Sequence, residues 1–313
     1  MQKSTVEKVS VVITIDTECD HDSHWVRAKP LTYHSVVDAV PQLLQSAFQD
    51  VGAVPTYLLT VEVMENAACV NALRKLQGRH ELGTHLHAAF IEPEKKFYDY
   101  AGVDSPDFQC FYSPEVEYKK LENLTQLFQQ SFGYSPKSFR AGRFGAGIAT
   151  LESLEKLGYL VDTSVTPHMH WTEPKGEVDY RRAPEQPYVP AKGSMLVKGD
   201  PHARHLLEVP VTTMRRHFRG PAWFRPWFSS VNQMKKVATH YLHRHRGQKE
   251  VVLNMMFHSM EVVPAASPYP QTVSEVERFI GDMHEVLSWC RSQGFEFCGL
   301  ADLHPRFVAT QGE

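Results

Sequence analysis

Two pairs of side chains in this chain stand two residues apart and carry donor atoms: Asp16 and Glu18 in TIDTE, and His85 and His87 in GTHLH. In extended backbone, positions two apart share a face, so each pair points one way. Two carboxylates at the mouth of a buried strand repel each other unless a cation or an arginine neutralises them. Carboxylate oxygen with imidazole nitrogen suits zinc or a similar divalent ion, held at about 2.0–2.2 Å. Two further groups stand in other candidate strands: Arg140 in the short extended KSFRAGR, placed to reach a carboxylate, and His258 directly after the apolar run in NMMFH. Taken singly, each also fits a plainer role, as a solvated strand end or an isolated structural histidine. The acids at 16, 18, 20 and 22 mimic a calcium loop but fail as one: position six is His21, position twelve is Arg27, and a strand precedes them.

Strand and helix signals alternate along the chain and place these groups. VSVVITI (9–15) is a β-branched run that reads as a buried strand. Val36 to Val51 then follow helical spacing, with Gly52 as the stop and Pro41 marking a start or a kink. VPTYLLT (54–60) predicts a strand, 62–77 a short helix, and HELGTHLH a third strand. Ser113-Pro114-Glu115 opens a helix that ends near Gly133; KSFRAGR is extended, and 147–159 is helical. HLLEVPVTT (205–213) and EVVLNMMFH (250–258) read as strands flanking a helix at about 229–244. A capping box at Thr272–Glu275 starts the last long helix, and FEFCGL closes the fold as a strand. About seven strands alternating with helices predict a parallel α/β sheet, open or closed into a barrel, with its chemistry at the C-terminal strand ends. The Pro-rich stretch 164–204 reads as a long ordered excursion from a single domain spanning 1–313.

The bulk numbers exclude several classes. With 42% hydrophobic and 22% charged residues in 313, the chain is a globular one. A formal charge of −3 gives no global pull toward nucleic acid or membrane. No apolar run reaches the ~20 residues of a membrane span. Five cysteines without a CxxC pair fit reduced thiols, and the expected location is cytoplasmic. RRHFRGPAWFRPWF (215–228) mixes Arg215, Arg216, Arg219 and Arg225 with Trp223 and other aromatics. Such a patch can carry a sugar ring and its anionic groups, rest on an anionic membrane surface, or simply anchor a loop. The oligomeric state is not legible.

Taken together, TIDTE, HELGTHLH, SFRAGRFG with its following LEKLGY, and NMMFHS resemble the NodB-homology polysaccharide deacetylases, the carbohydrate esterase family 4 type. The resemblance spans about residues 10–300 and implies a distorted (β/α) barrel of about seven parallel strands. It also implies a metal-dependent hydrolase that removes N-acetyl groups from an N-acetylated sugar or polysaccharide. By that resemblance Asp16 is the general base and Arg140 the residue that pairs with it. Glu18 is a metal ligand, His85 the first metal-binding histidine and His258 the general acid. Ala89 stands where the family's second histidine falls, so His87 is the substitute ligand, with Asp20, His21 and His24 as further candidates. Arg143 stands where the third motif usually has a proline or an aromatic residue and is expected to touch substrate instead, and Asp162 and Trp171 are the nearest matches to the fourth. Arg143, Trp171 and Trp223 are therefore the expected substrate contacts, and one divalent ion, zinc before others, the expected cofactor. The rival readings are a metal-free ureide amidase of the allantoinase kind and a lapsed domain that only binds glycan.

Overall fold

The run VSVVITI lies at the heart of a parallel sheet. The structure, a computed structural model, describes residues 6–27, 29–96, 108–173, 176–202, 204–216 and 219–308. Strands β1 (Lys8–Thr17), β2 (Pro55–Leu59), β3 (Glu81–Leu86), β4 (Ser138–Ala141) and β5 (Val161–Asp162) come first. Two hairpins follow, β6–β7 (His170–Glu173 and Gly176–Asp179) and β8–β9 (Pro190–Ala191 and Ser194–Lys198). Then come β10 (Leu207–Glu208), the hairpin β11–β12 (Thr213–Arg216 and Arg219–Trp223), β13 (Glu250–His258) and β14 (Glu296–Phe297).

Seven strands pair in the order β10-β5-β4-β3-β2-β1-β13, all parallel, and the sheet curls into a distorted barrel. β14 adds to the lower end of β1, where Ser10 faces Glu296. Buried on both faces, the central strands have no polar alternation to keep: Val11, Val12, Ile13 and Ile15 are all fully buried.

No ladder joins β10 to β13 among the described residues, and side chains span the gap. Asn254 receives a bond from Thr212 N at its carbonyl (3.1 Å), and its own N–H donates to Thr212 Oγ1 (2.8 Å). The Gln186 amide acts as one residue of a missing strand. It donates to Val252 O (2.9 Å) and accepts from Val252 N (2.8 Å). The buried backbone is thus satisfied without a full strand.

The helix signals are borne out at both ends. Ser113 accepts from Val116 N, Pro114 begins the 114–132 helix, and Gly133 ends it at φ 82°. The Thr272–Glu275 capping box opens the 273–292 helix. Three expectations need correction. The 62–77 helix is two, Val61–Glu65 and Ala67–Arg74, because Asn66 turns extended and caps the second through Ala68 N and Cys69 N. Ser35–Leu44 is a π-helix holding Pro41, whose missing N–H and bulky ring suit the wider turn. Residues 205–213 are not one strand: only Leu207–Glu208 pair with the sheet, Pro210 has no N–H to offer, and Thr213 begins another hairpin.

The 164–204 excursion carries two hairpins, and the buried Tyr180 hydroxyl ties it to Phe144 O (2.6 Å). The five cysteines are unpaired, and no helix among the described residues is long and apolar enough to cross a membrane.

One buried acid is a stability handle away from the site. Burial pushes the Glu117 carboxyl up to about 7, against the bonds it accepts from Thr150 and Gln109. Its second oxygen has no partner. Between pH 4.5 and 7 the folded chain therefore binds a proton that the unfolded chain has released, and this contribution to stability falls as pH rises. Glu117→Gln is expected to stabilise the protein at pH 8 by about 1–3 kcal/mol and to change little at pH 5, read as thermal unfolding at both values.

Candidate active site

Strand register brings the sequence pairs to one level. Asp16 of β1 lies beside His258 of β13, and His85 of β3 beside Arg140 of β4. All four stand at the C-terminal ends of parallel strands, where a barrel opens. Asp16, His85 and His258 line a pocket of about 420 Å³ with Glu18, His87, Arg143 and Trp171, while Arg140 lies buried behind Asp16.

Arg140 anchors one side. Fully buried, its guanidinium donates through Nη1 to Asp16 Oδ1 (2.6 Å), through Nη2 to Thr14 Oγ1 (2.6 Å), and through Nε to Thr163 O (3.0 Å). Burial opposes ionisation of Asp16, but Arg140, His85 and His258 together hold its carboxyl below the usual range. Asp16 Oδ2 keeps a free edge, 3.9 Å from both His85 Nε2 and His258 Nε2.

Glu18 anchors the other side. Its Oε1 lies 3.4 Å from His85 Nε2 and 3.4 Å from His87 Nε2, and donor atoms of all three lie within 4.8 Å of one another. Its Oε2 accepts from Arg27 Nη2 (2.9 Å). Burial penalises the Glu18 charge, yet His87, His85 and Arg27 outweigh it and hold the carboxyl well below its ordinary value. Burial also drives His87 down to about 4, so near neutrality its ring is uncharged and offers a lone pair. His85 Nδ1 sits 3.0 Å from Arg140 O, a contact that fixes the tautomer and leaves Nε2 free to coordinate. One ionised carboxylate and two histidine nitrogens, with an outer contact orienting one ring, make a donor set that fits a divalent ion.

The local fold explains how His87 comes to stand beside Glu18 and His85. Ala89 is fully buried in the short turn Ala88–Phe90 and has no donor to give. His87 instead reaches back over the end of β4. A Cβ on Gly142 would lie 2.6 Å from His87 Nδ1 and 2.7 Å from Leu86 O, so only glycine permits this approach. Arg143 and Phe144 next to it take left-handed φ of 53° and 60°, an uncommon conformation that turns Arg143 into the pocket.

The remaining expected residues divide. Trp171 lines the pocket, stacked on Phe144 at 5.2 Å. Trp223 is 5% exposed and packs behind Trp171 at 6.4 Å, while Phe228 of the same segment faces the pocket. Asp162 lies buried and accepts from Ser164 Oγ (2.6 Å), outside the pocket lining. Asp20 caps the helix at 35 by accepting from His34 N and Ser35 N. His24 is an exposed rim residue. The His21 ring is buried without a hydrogen-bond partner among the described residues, its Nε2 3.8 Å from Glu18 Oε2, the oxygen that Arg27 also holds.

Sequence reasoning missed the support behind His258. Glu261, three residues on in a short 3-10 turn, is fully buried and accepts from His258 N (3.0 Å). Its Oε1 stands 2.8 Å from His258 Nδ1, and Arg225 Nη2 donates to the same oxygen (2.5 Å). Glu261 therefore positions the ring and turns Nε2 toward Asp16. Glu261→Gln is expected to lower kcat by about 10²-fold through a misplaced ring, with KM nearly unchanged. An equal rise in KM with kcat retained would instead assign Glu261 to substrate binding.

The curled parallel barrel is the fold of NodB-like deacetylases and their relatives, and in this chain a carboxylate–imidazole cluster stands at its C-terminal mouth. Among solved structures it is similar to a putative glycoside hydrolase/deacetylase from Parabacteroides distasonis (TM-score 0.66, 12% identity, 97% of this chain and 72% of that one). It is also similar to a probable polysaccharide deacetylase from Pseudomonas aeruginosa PAO1 (TM-score 0.57, 14% identity, 96% and 90%). The PuuE allantoinase shares the fold as well (TM-score 0.59, 14% identity, 100% and 94%). No family model matches the sequence, and no curated protein does. At these identities the likeness is one of fold.

Proposed function

We propose that this protein is a metal-dependent hydrolase that removes acetyl groups from an N-acetylated sugar, with zinc as its ion. The observation that carries the reading is the convergence on Asp16. One oxygen is clamped by Arg140, and the other faces a carboxylate–imidazole cluster on one side and His258 on the other.

Glu18, His85 and His87 would hold the ion, which supplies a Lewis acid to polarise the scissile carbonyl and acidify water. Asp16, ionised and unable to rotate while Arg140 holds Oδ1, takes the proton of the attacking water on Oδ2. His258, oriented by Glu261, lies across from the ion site and hands a proton from Nε2 to the departing amine nitrogen. Trp171 and Arg143 line the same pocket, where the indole face would carry the sugar ring and the guanidinium would hold a polar substituent.

The test is acetate release from N-acetylated chitooligosaccharide. Turnover is expected to stop on chelation and return with added zinc. Full turnover after chelation, or hydrolysis of allantoin with no acetyl-sugar cleaved, would contradict the reading.

A further inference from the structure

Away from the catalytic pocket, the ends of the β6–β7 and β11–β12 hairpins enclose an open cleft of about 770 Å³. Arg181, Arg182, Arg215, Arg216 and Arg219 line it, and Asp179 is the one acid among the described lining residues. Asp179 is already engaged by Arg181 (2.6 Å). Arg182, Arg215 and Arg219 make no side-chain hydrogen bond or ion pair with the described residues, although the chain carries 36 acids against 33 basic residues. The positive charge is concentrated here and not general to the surface.

The hairpin is built to concentrate it. Met214 pairs with Ala222 but Arg216 with Arg219, so β12 carries one extra residue, a bulge at Gly220–Pro221. Without that bulge Gly220 would stand opposite Arg216. With it, two arginines face each other directly, an arrangement that is unfavourable until an anion lies between them. Arg216 is held in place by donating through Nε to Gly220 O (2.8 Å). Several guanidinium forks around one hollow suit carboxylate or phosphate groups, which they bind bidentately.

We propose that this cleft binds an anionic oligosaccharide, one bearing carboxylates or phosphates. The concave shape does not match a flat membrane surface, and among the described residues no Phe, Tyr or Trp lines the cleft for a nucleobase to stack on. The same hairpin runs back to Trp223, which packs against Trp171 at the catalytic pocket. Four residues of strand separate Arg219 from Trp223, roughly 13 Å, a span that a short glycan covers. The glycan nature of the ligand rests on the proposed sugar substrate; the anion specificity rests on the cleft alone.

Calorimetric titration separates the two. The probes are hexagalacturonate, its methyl ester, a phosphate-bearing mannan oligosaccharide, a single-stranded DNA oligonucleotide and phosphatidylserine vesicles. At least one anionic glycan is expected to bind, the neutral ester not, and the Arg215→Ala/Arg216→Ala/Arg219→Ala variant to bind at least ten-fold more weakly. Which anionic glycan binds tells carboxylate from phosphate. Arg182→Ala on the opposite wall is expected to weaken binding at least three-fold, which covers misfolding of the triple variant. Binding of neither glycan, equal binding by wild type and both variants, or tighter binding of DNA or vesicles overturns the proposal. Because titration needs no turnover, loss of acetate release with binding intact strikes only the catalytic reading.

Discussion

Asp16→Asn is expected to lower kcat by about 10²–10⁴-fold and leave KM within a few-fold, because it removes proton acceptance without removing substrate contacts. The geometry makes this variant informative. Asn Oδ1 can still accept from Arg140 Nη1, and Thr14 and Thr163 go on accepting from the same guanidinium. Breaking a buried ion pair outright costs about 3–5 kcal/mol, and these retained bonds should keep the loss below that range. The variant should therefore fold, melt at a lower temperature and hold its ion. Turnover within a factor of two of wild type would remove Asp16 from the role of base.

The second large effect is on metal content. Glu18→Gln keeps the side-chain shape but removes the charge that His85, His87 and Arg27 surround. Disturbing an outer-shell contact typically costs 10–100-fold in metal affinity, so loss of the anionic ligand itself should exceed about 10²-fold. Elemental analysis after zinc loading and desalting is expected to give about one ion per wild-type chain and under about a tenth in Glu18→Gln or His85→Ala. Wild-type loading in either variant would mean that the ion sits elsewhere.

Much of this was legible because the chemistry sits at strand ends. Asp16 and His258 end apolar runs, His85 and Arg140 stand at the ends of shorter extended stretches, and parallel register sets such ends level. The pairing of Arg140 with Asp16 and the closeness of His87 to Glu18 were both readable as expectations. Other features depend on folding at long range. Glu261 reaches His258 only because a 3-10 turn folds the chain back, and Arg225 arrives from 33 residues upstream along another hairpin. The strands of the hairpins within 164–204 are two to five residues long, too short to show alternation. The run at 205–213 misled in the opposite sense, since β-branched residues lining a barrel gap look like a strand but meet side chains where a ladder would be. Trp223 carries the composition of a sugar platform, yet burial behind Trp171 gives that face to its neighbour.

All of the catalytic reading rests on one ion being shared by Glu18, His85 and His87. A crystal of the zinc-loaded protein, with data collected at the zinc absorption edge, tests this most directly. The account predicts a single anomalous peak about 2.0–2.2 Å from Glu18 Oε1, His85 Nε2 and His87 Nε2. A peak elsewhere, or none between these three atoms at saturating zinc, would contradict it.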